Sequence, residues 1–286
     1  MSIQPSNKKH DSEQEKRDES TSRYSENSHM PARWKRPSIG TWMLLVVVFA
    51  FLISGVHNAE ITISRLIQGA GNIGNFVISA FPPNPDRIGP IMEAIIETFE
   101  MALVGTVIGV ALSVPVAILS SANTTPFRSV RLVIKTMVSA MRTIPDLIWA
   151  LLFVISVGLG PLAGILTIAV DTIGFCARFF SERIEELDRG PKEALEATGA
   201  THFGVISGAI LPPAIPSMVG TSLYAVEKSI RSATILGLVG AGGIGVELST
   251  SMSLRNFDEA LMIILLILLL VLAVEKVSST IRAKFI

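Results

Sequence analysis

The residues that could act on a solute are a few charged side chains within or beside long apolar segments. Arg142 and Asp146 lie four positions apart in the stretch RTIPDLIW, and Lys228 and Arg231 lie three apart just before a run of glycines. Ionisable groups at membrane depth are costly and usually face a protein interior or an aqueous path. Positive charge along such a path would attract an anion. The alternatives are a structural ion pair between Arg142 and Asp146, and cations that snorkel from a flexible outer loop.

The glycine run GLVGAGGIG, residues 237–245, holds five glycines in nine positions and cannot form a stable helix facing lipid. Irregular backbone at membrane depth is tolerated only where it is buried in protein or lines a cavity. Glycine also offers unshielded amides to an anion. We therefore place Gly240, Gly242 and Gly243 beside the four charged residues in a hypothetical translocation path. The spacing does not match a dinucleotide-binding loop, and no strand precedes it.

Motifs that would supply reactive groups do not occur in the sequence. It contains no GxxxxGK[ST], HExxH, CxxC or GxSxG pattern, and Cys176 is its one cysteine. The formal net charge is zero, so no basic excess points to nucleic acid. We predict a protein that is not an enzyme and that binds no metal and no nucleic acid. Asp171 lies inside an apolar segment, and we assign it no function, since protonation or a Ser/Thr neighbour would satisfy it.

The elements that must position these residues are membrane-spanning helices. Hydrophobic residues make up 49% of the chain and charged residues 17%, against about 25% charged in soluble domains. Residues 1–36 are polar and predict a disordered tail, whereas residues 37–286 predict an all-α integral membrane domain. Apolar length predicts six spans, at about 38–57, 97–119, 131–157, 162–180, 205–226 and 259–279.

The distribution of Lys and Arg predicts the orientation of these spans. With both termini in the cytosol, 18 of the 24 basic residues fall on the cytosolic side and 5 outside, Lys228 and Arg231 among the latter. We therefore predict a multi-pass protein of the cytoplasmic (inner) membrane with cytosolic N- and C-termini.

One cytosolic segment, within a loop at about 181–212, predicts a short rigid helix between two spans. Pro191 opens the segment, EALEA follows, and Gly199 is placed to end the helix. Leu211, Pro212 and Pro213 then interrupt the next apolar stretch near its inner end. Such a helix would suit contact with a soluble motor, and the alternative is an ordinary structured loop.

This segment resembles the EAA loop of ABC-importer permeases, whose pattern is E-A-A, three residues, G, nine residues, I-x-L-P. Glu193, Ala194, Gly199, Leu211 and Pro212 match at that spacing. The sequence departs from the pattern in two places: Leu195 stands at the third position, and Ala209 stands where the pattern has Ile. In that family the loop forms a coupling helix that docks into the ATPase subunit.

Two further segments resemble the phosphonate-permease branch of the same family. Residues 231–245 follow its run Arg-x-x-x-(Ile/Val)-Leu-Gly-Leu-Val-Gly-Ala-Gly-Gly-Ile-Gly, and RTIPDLIWALLF is also similar. Methionine-importer permeases share a looser version of the glycine run. The resemblance covers about residues 88–286.

The resemblance implies the type I ABC importer permease fold. It further implies a permease homodimer, two cytoplasmic ABC ATPase subunits that hold ATP and Mg²⁺, and one extracytoplasmic substrate-binding protein. This chain would bind no cofactor itself and would move phosphonate across the lipid bilayer by alternating access. Phosphite or a phosphate ester is the nearest alternative substrate, and methionine or another small solute is a weaker one.

Two other classes of function remain open at this stage. An ion-coupled secondary transporter would use Asp171 with Arg142 and Asp146 as coupling groups and would need no ATPase. A membrane anchor for a soluble complex would carry no solute, so changes at Arg142 or Arg231 would not alter any flux.

Overall fold

The computed structural model describes residues 38–59 and 62–285. The predicted disordered tail, residues 1–36, lies outside the described residues. The chain divides into two compact units, Met1–Ala70 and Gly71–Ile286. The second unit contains every residue predicted to act on a solute.

The first unit contains α1 (Ile39–Asn58), which confirms the predicted first span. The hydroxyl oxygen of Ser38 accepts a hydrogen bond from the amide of Thr41, which starts the helix. Helix α2 (Ile63–Ala80) begins in this unit and ends in the second. Apolar length alone did not predict α2, because its apolar residues are spaced along one face and form no continuous run.

The second unit is built from helices of very different lengths. They are α3 (Ile88–Ser120), α4 (Arg128–Thr143), α5 (Asp146–Val157), α6 (Pro161–Glu186), α7 (Gly190–Ala197), α8 (His202–Val205), α9 (Leu211–Leu236), α10 (Ile244–Ser253) and α11 (Phe257–Phe285). A π-helical turn, Ile206–Ile210, joins α8 to α9, and a 3₁₀ turn, Gly237–Val239, follows α9. No strand occurs in the part of the chain that the structure describes.

The core of this unit is the close crossing of α3 and α6. A Cβ atom at Gly105 would lie 2.8 Å from Cβ of Ile168, and one at Gly109 would lie 2.5 Å from Cβ of Thr172. The two glycines are four residues apart, on one face of α3, so the backbones can approach each other. This crossing fixes the middle of α6, the part that carries Asp171.

Arg87, just before α3, joins three elements at one end of the unit. Its guanidinium donates to Glu259 on α11 at 2.6 Å and to Glu247 on α10 at 3.1 Å. The amide of Asn84 also donates to the carbonyl of Asp258, at 3.3 Å. These contacts hold the start of α11 beside the start of α3.

The predicted continuous helix over 131–157 is wrong. The chain forms α4 and α5 instead, and their axes are bent by 92°. Ile144 and Pro145 between them have extended backbone, with ψ angles of 122° and 144°. Proline lacks an amide hydrogen and disfavours the helical region for the residue before it, so the helix ends at Thr143.

The predicted span over 205–226 is too short at its C-terminal end. Helix α9 continues to Leu236, so Lys228 and Arg231 lie inside a helix and not in an outer loop. Its prolines do not interrupt the segment as predicted. Pro212 and Pro213 lie in the first turn of α9, where a missing amide hydrogen costs little, and the π-helical turn directly precedes them.

Five of the described helical segments are long and apolar enough to cross a bilayer, and the bent pair α4 and α5 would make six if it counts as one span. The predicted all-α membrane fold with about six spans is therefore confirmed.

Candidate functional site

Helix α7 is the short rigid helix expected from the sequence. Gly199 takes a φ of +79° and its amide donates to the carbonyl of Glu196, so the helix ends there. The amide of Ala200 then reaches back to the carbonyl of Leu195 at 3.3 Å. Glu193 and Ala194 are exposed, and both are available to a partner protein.

Leu195 anchors α7 to the membrane-embedded part of the unit. It is half-buried and packs against an apolar cluster that includes Phe180 and Ile184 of α6 and Ile206 of the π-helical turn. Leu195, one of the two positions that depart from the EAA pattern, therefore faces inward, where a larger apolar side chain adds contact area. Leu211, at the start of α9, packs against the same cluster.

Polar contacts link α7 to the neighbouring helices. The ammonium of Lys192 donates to the carbonyl of Asn123 at 2.9 Å, and the side-chain amide of Asn123 donates to the carbonyl of Ile184 at 2.8 Å. Glu185 accepts from the amide of Ala122 at 2.7 Å and from Lys135 at 2.9 Å. These contacts would transmit a displacement of α7 to the end of α6 and to the loop between α3 and α4.

A cavity of about 550 Å³ lies between α4, α5, α6 and α9. Ten residues line it: Arg142, Thr143, Ile144, Pro145, Asp146, Asp171, Phe175, Tyr224, Lys228 and Arg231. The four charged residues that were predicted to lie on a path, Arg142, Asp146, Lys228 and Arg231, are thus brought together in one space. Three cations and two carboxylates among the lining side chains leave an excess of positive charge.

The alternative, a structural ion pair between Arg142 and Asp146, is not present between these two described residues. The break at Ile144 and Pro145 removes the helical turn that would have brought them to one face. Asp146 accepts a hydrogen bond from the hydroxyl of Ser232 at 3.0 Å instead. Arg142 is exposed to the cavity and has no carboxylate partner within the described part of the chain.

The aliphatic part of Arg142 is held by close packing on α6. A Cβ atom at Gly174 would lie 3.0 Å from Cγ of Arg142 and 3.3 Å from Cβ of Met141. The absence of a side chain at Gly174 therefore lets the end of α4 lie against α6. Arg142 also lines the cavity and is exposed.

The other two cations of the cavity have carboxylate partners. Lys228 lies 2.6 Å from an oxygen of Asp171, and Arg231 lies 2.6 Å from an oxygen of Glu227, one helical turn earlier. The partner of Asp171 is a cation of another helix and not the Ser or Thr neighbour expected from the sequence. Glu227 is buried and is also bound by Arg282 of α11 at 3.4 Å.

The three glycines predicted for the path, Gly240, Gly242 and Gly243, are not among the residues that line the cavity. All three have positive φ angles, and a Cβ atom at Gly243 would lie 2.5 Å from the hydroxyl oxygen of Thr98. The amide of Gly243 donates to the carboxylate of Glu97 at 3.2 Å. The structure thus gives Gly242 and Gly243 a packing role against α3, whereas a Cβ atom at Gly240 would meet the side chain of Leu159.

Sequence reasoning missed the aromatic part of the cavity. Phe175 and Tyr224 face each other across α6 and α9, with ring centroids 5.7 Å apart. The one sequence signal for these two residues is their spacing from a charged residue. Phe175 lies one helical turn from Asp171, and Tyr224 lies one helical turn from Lys228. Thr143, Ile144 and Pro145 reach the cavity because the break between α4 and α5 lies there.

Comparison with known proteins adds two curated relatives. The phosphate-import permease protein PhnE of Mycolicibacterium smegmatis is 38% identical over 206 residues, 72% of this chain and 39% of that protein. The phosphite transport system permease protein PtxC of Stutzerimonas stutzeri is 33% identical over 251 residues, 86% of this chain and 91% of that protein. The chain thus spans about two fifths of the length of the first relative.

Among solved structures, the MetNI methionine ABC transporter in inward-facing conformations contains a similar chain. The TM-score is 0.60 at 21% identity, over 68% of this chain and 96% of that one. This likeness concerns the fold. Residues 105–282 match the family model described as the inner membrane component of binding-protein-dependent transport systems. Because that match covers more than half of the chain, the protein belongs to the family of inner membrane components of binding-protein-dependent transport systems.

Proposed function

We propose that this chain is the membrane-spanning permease subunit of an ATP-driven importer for a small phosphorus anion, with phosphonate as the first candidate. The observation that carries the proposal is the cavity in which Arg142, Lys228 and Arg231 converge. An anion would be drawn into a space with excess positive charge and low-dielectric walls. The relatives named for phosphate import and phosphite transport support a phosphorus anion, and phosphite or a phosphate ester is the nearest alternative.

The proposed importer needs three kinds of partner. A second copy of this chain would complete the pathway, two cytoplasmic ATPase subunits would hold ATP and Mg²⁺, and one extracytoplasmic binding protein would deliver the substrate. This chain would bind no cofactor, and both of its termini would lie in the cytosol. Family membership supports the binding protein, and the likeness to an ABC transporter fold supports the ATPases and the dimer.

Helix α7 is the proposed contact with the ATPase. Glu193 and Ala194 would face the ATPase, with Gly199 fixing the end of the helix and Leu211 and Pro212 its return to the membrane. Leu195 and Lys192 would transmit the movement, because they join α7 to the end of α6 and to the loop after α3. Helix α6 also carries Asp171, so the same rigid element would move one wall of the cavity.

The test is ATP hydrolysis by the complete complex of permease, ATPase and binding protein in proteoliposomes. We expect methylphosphonate, delivered by the binding protein, to stimulate hydrolysis, and Arg231→Gln to lower that stimulation roughly tenfold while the complex still assembles. The matched control is Arg128→Gln at the exposed start of α4, away from the cavity. Full stimulation in an intact Arg231→Gln complex would contradict a role for Arg231 in the path.

An ion-coupled carrier is the second candidate, and the charge pair of Asp171 and Lys228 inside the membrane domain is the observation that favours it. A carrier would keep taking up its substrate in cells depleted of ATP as long as a proton gradient is maintained. The proposed importer would stop. Uptake that persists under these conditions would contradict the ATP-driven importer and support the ion-coupled carrier.

A further inference from the structure

Lys228 and Asp171 form a charge pair that faces the cavity directly. The ammonium of Lys228, on α9, lies 2.8 and 2.6 Å from the two carboxylate oxygens of Asp171, on α6. Both side chains line the cavity. An anion that enters therefore meets Lys228 already bound to a carboxylate of the protein itself.

An aromatic ring also contacts the ammonium of Lys228. Phe175 lies one helical turn after Asp171, and the Lys228 nitrogen lies 5.3 Å from the centroid of its ring. Tyr224, one turn before Lys228, packs against Phe175. A ring face attracts a cation, so Lys228 keeps its position in the cavity when its carboxylate partner changes.

The pair formed by Arg231 and Glu227 differs in where its carboxylate lies. Glu227 is buried, is bound by Arg282 as well, and does not line the cavity. Asp171 shares the open space with whatever occupies it. Asp146 also lines that space, yet its hydrogen bond comes from the neutral hydroxyl of Ser232. Asp171 is therefore the carboxylate placed to compete with an incoming anion for a cation.

We propose that Asp171 is an internal counter-anion that the substrate displaces from Lys228, and that this competition keeps the affinity of the cavity low enough for release. The role of Asp171 rests on the proposed transport of a phosphorus anion. A partly buried cation without a partner would bind an anion tightly, because its charge would otherwise stay uncompensated. With Asp171 present, the substrate exchanges one charge pair for another, so the net gain in binding is small.

The same exchange would select among anions. A phosphonate presents three oxygens and up to two negative charges, so in a cavity lined by Arg142 as well as Lys228 it has more cation contacts to gain than a single carboxylate. A monocarboxylate has no such advantage over Asp171. Asp171 is thus a specificity-determining residue as well as one that speeds release.

The first experiment measures binding and transport separately on the complete complex. Radiolabelled methylphosphonate is bound to the complex in nanodiscs without the binding protein, and uptake is then measured in proteoliposomes with it. We expect Asp171→Asn to bind about tenfold more tightly than the wild type and to transport at a lower maximal rate. The matched control, Glu247→Gln, removes one of the two carboxylates from Arg87, away from the cavity, and should change neither quantity.

The second variant combines Asp171→Asn with Lys228→Gln. It leaves neither charge unpaired inside the domain, so it should assemble even if the single variant does not. We expect the tight binding to be lost and uptake to fall about tenfold below the wild type, because the exchangeable cation is gone. A double variant that transports as well as the wild type would make the pair purely structural and would overturn the proposal.

Two outcomes separate this proposal from the proposed function. If the wild-type complex transports methylphosphonate and Asp171→Asn binds it no more tightly, the role of Asp171 is wrong and the importer stands. If the wild-type complex moves none of methylphosphonate, phosphite and inorganic phosphate, the proposed function is wrong and the role of Asp171 falls with it.

Discussion

Residues 227–236 and residues 237–245 are neighbours in the chain, but they lie in opposite surroundings. The first segment sends the side chains of Lys228 and Arg231 into a cavity of about 550 Å³. The second packs its backbone against α3, where Glu97 and Thr98 accept hydrogen bonds from the amides of Gly243 and Ile244. One segment borders open space, whereas the glycines of the other lie where an added Cβ atom would clash with its neighbours.

The difference shows that charged residues in this protein indicate a cavity, whereas its glycines indicate close packing of the backbone. Both segments were assigned to one path, because each is costly in a lipid-facing helix. Charged side chains reach several ångströms from the backbone, so they can gather in a cavity from separate helices. Glycines act at the backbone, and here they allow contact with Thr98 and Glu97. Substitutions in the glycine segment should therefore affect folding, and those at the cavity should affect transport.

The largest effect is expected from Gly245→Ala. A Cβ atom there would clash with the carbonyl oxygen of Thr234 and would lie 2.9 Å from Cα of Gly237, both backbone atoms that cannot rotate away. We expect the variant to lose about 3 kcal/mol of stability and to accumulate poorly in membranes. Thermal unfolding of the detergent-solubilised protein and its yield measure the effect.

Gly89→Ala is the control for this substitution, because a Cβ atom at Gly89 meets nothing within 4 Å. It should unfold at the wild-type temperature or slightly above. If Gly245→Ala behaved like Gly89→Ala, the close packing of the glycine segment would be wrong.

At the cavity, Arg142→Gln should reduce uptake without reducing stability. Glutamine keeps the Cγ atom that packs on Gly174, so this contact is retained while the charge is lost. Because Arg142 has no carboxylate partner among the described residues, its charge is fully available to an anion, and we expect uptake of methylphosphonate to fall at least roughly tenfold. An Arg142→Gln variant that unfolds early, or that transports normally, would break the contrast between the two segments.

The smallest effect is expected from Glu97→Ala, which removes the acceptor for the amide of Gly243. Loss of this hydrogen bond at a half-buried site should lower the free energy of unfolding by about 1 kcal/mol. We expect a small decrease in unfolding temperature and unchanged uptake. Glu93→Ala, one turn earlier on α3 and exposed, is the control and should be neutral. A marked loss of uptake in stable Glu97→Ala protein would move the glycine segment back into the path.

Much of α7 was predictable, because the signals are local. Pro191 lies in the first turn of this eight-residue helix and Gly199 lies just past its end, and the backbone preferences of both act within one turn. The break between α4 and α5 was only half predictable. Proline disrupts a helix, so Pro145 marks a weak point within residues 131–157, but nothing local sets a bend of 92° or separates Arg142 from Asp146.

The partner of Asp171 lay beyond any local pattern. Asp171 and Lys228 are 57 positions apart, and the crossing of α3 with α6 and the length of α9 bring them together. The predicted span ended too early because Lys228 and Arg231 were taken as too costly to lie inside a membrane helix. Their ion pairs with Asp171 and Glu227 offset that cost, so α9 continues past them.

From the sequence alone one could determine the all-α membrane architecture, the short helix with its glycine end, and four charged residues that line one cavity. These depend on hydropathy, backbone preference and the cost of charge in lipid, all of which act residue by residue. Tertiary structure decided which charges pair, which cation is left to the cavity, and that the glycines serve packing. Those outcomes depend on distances between helices far apart in the chain, which no local preference encodes.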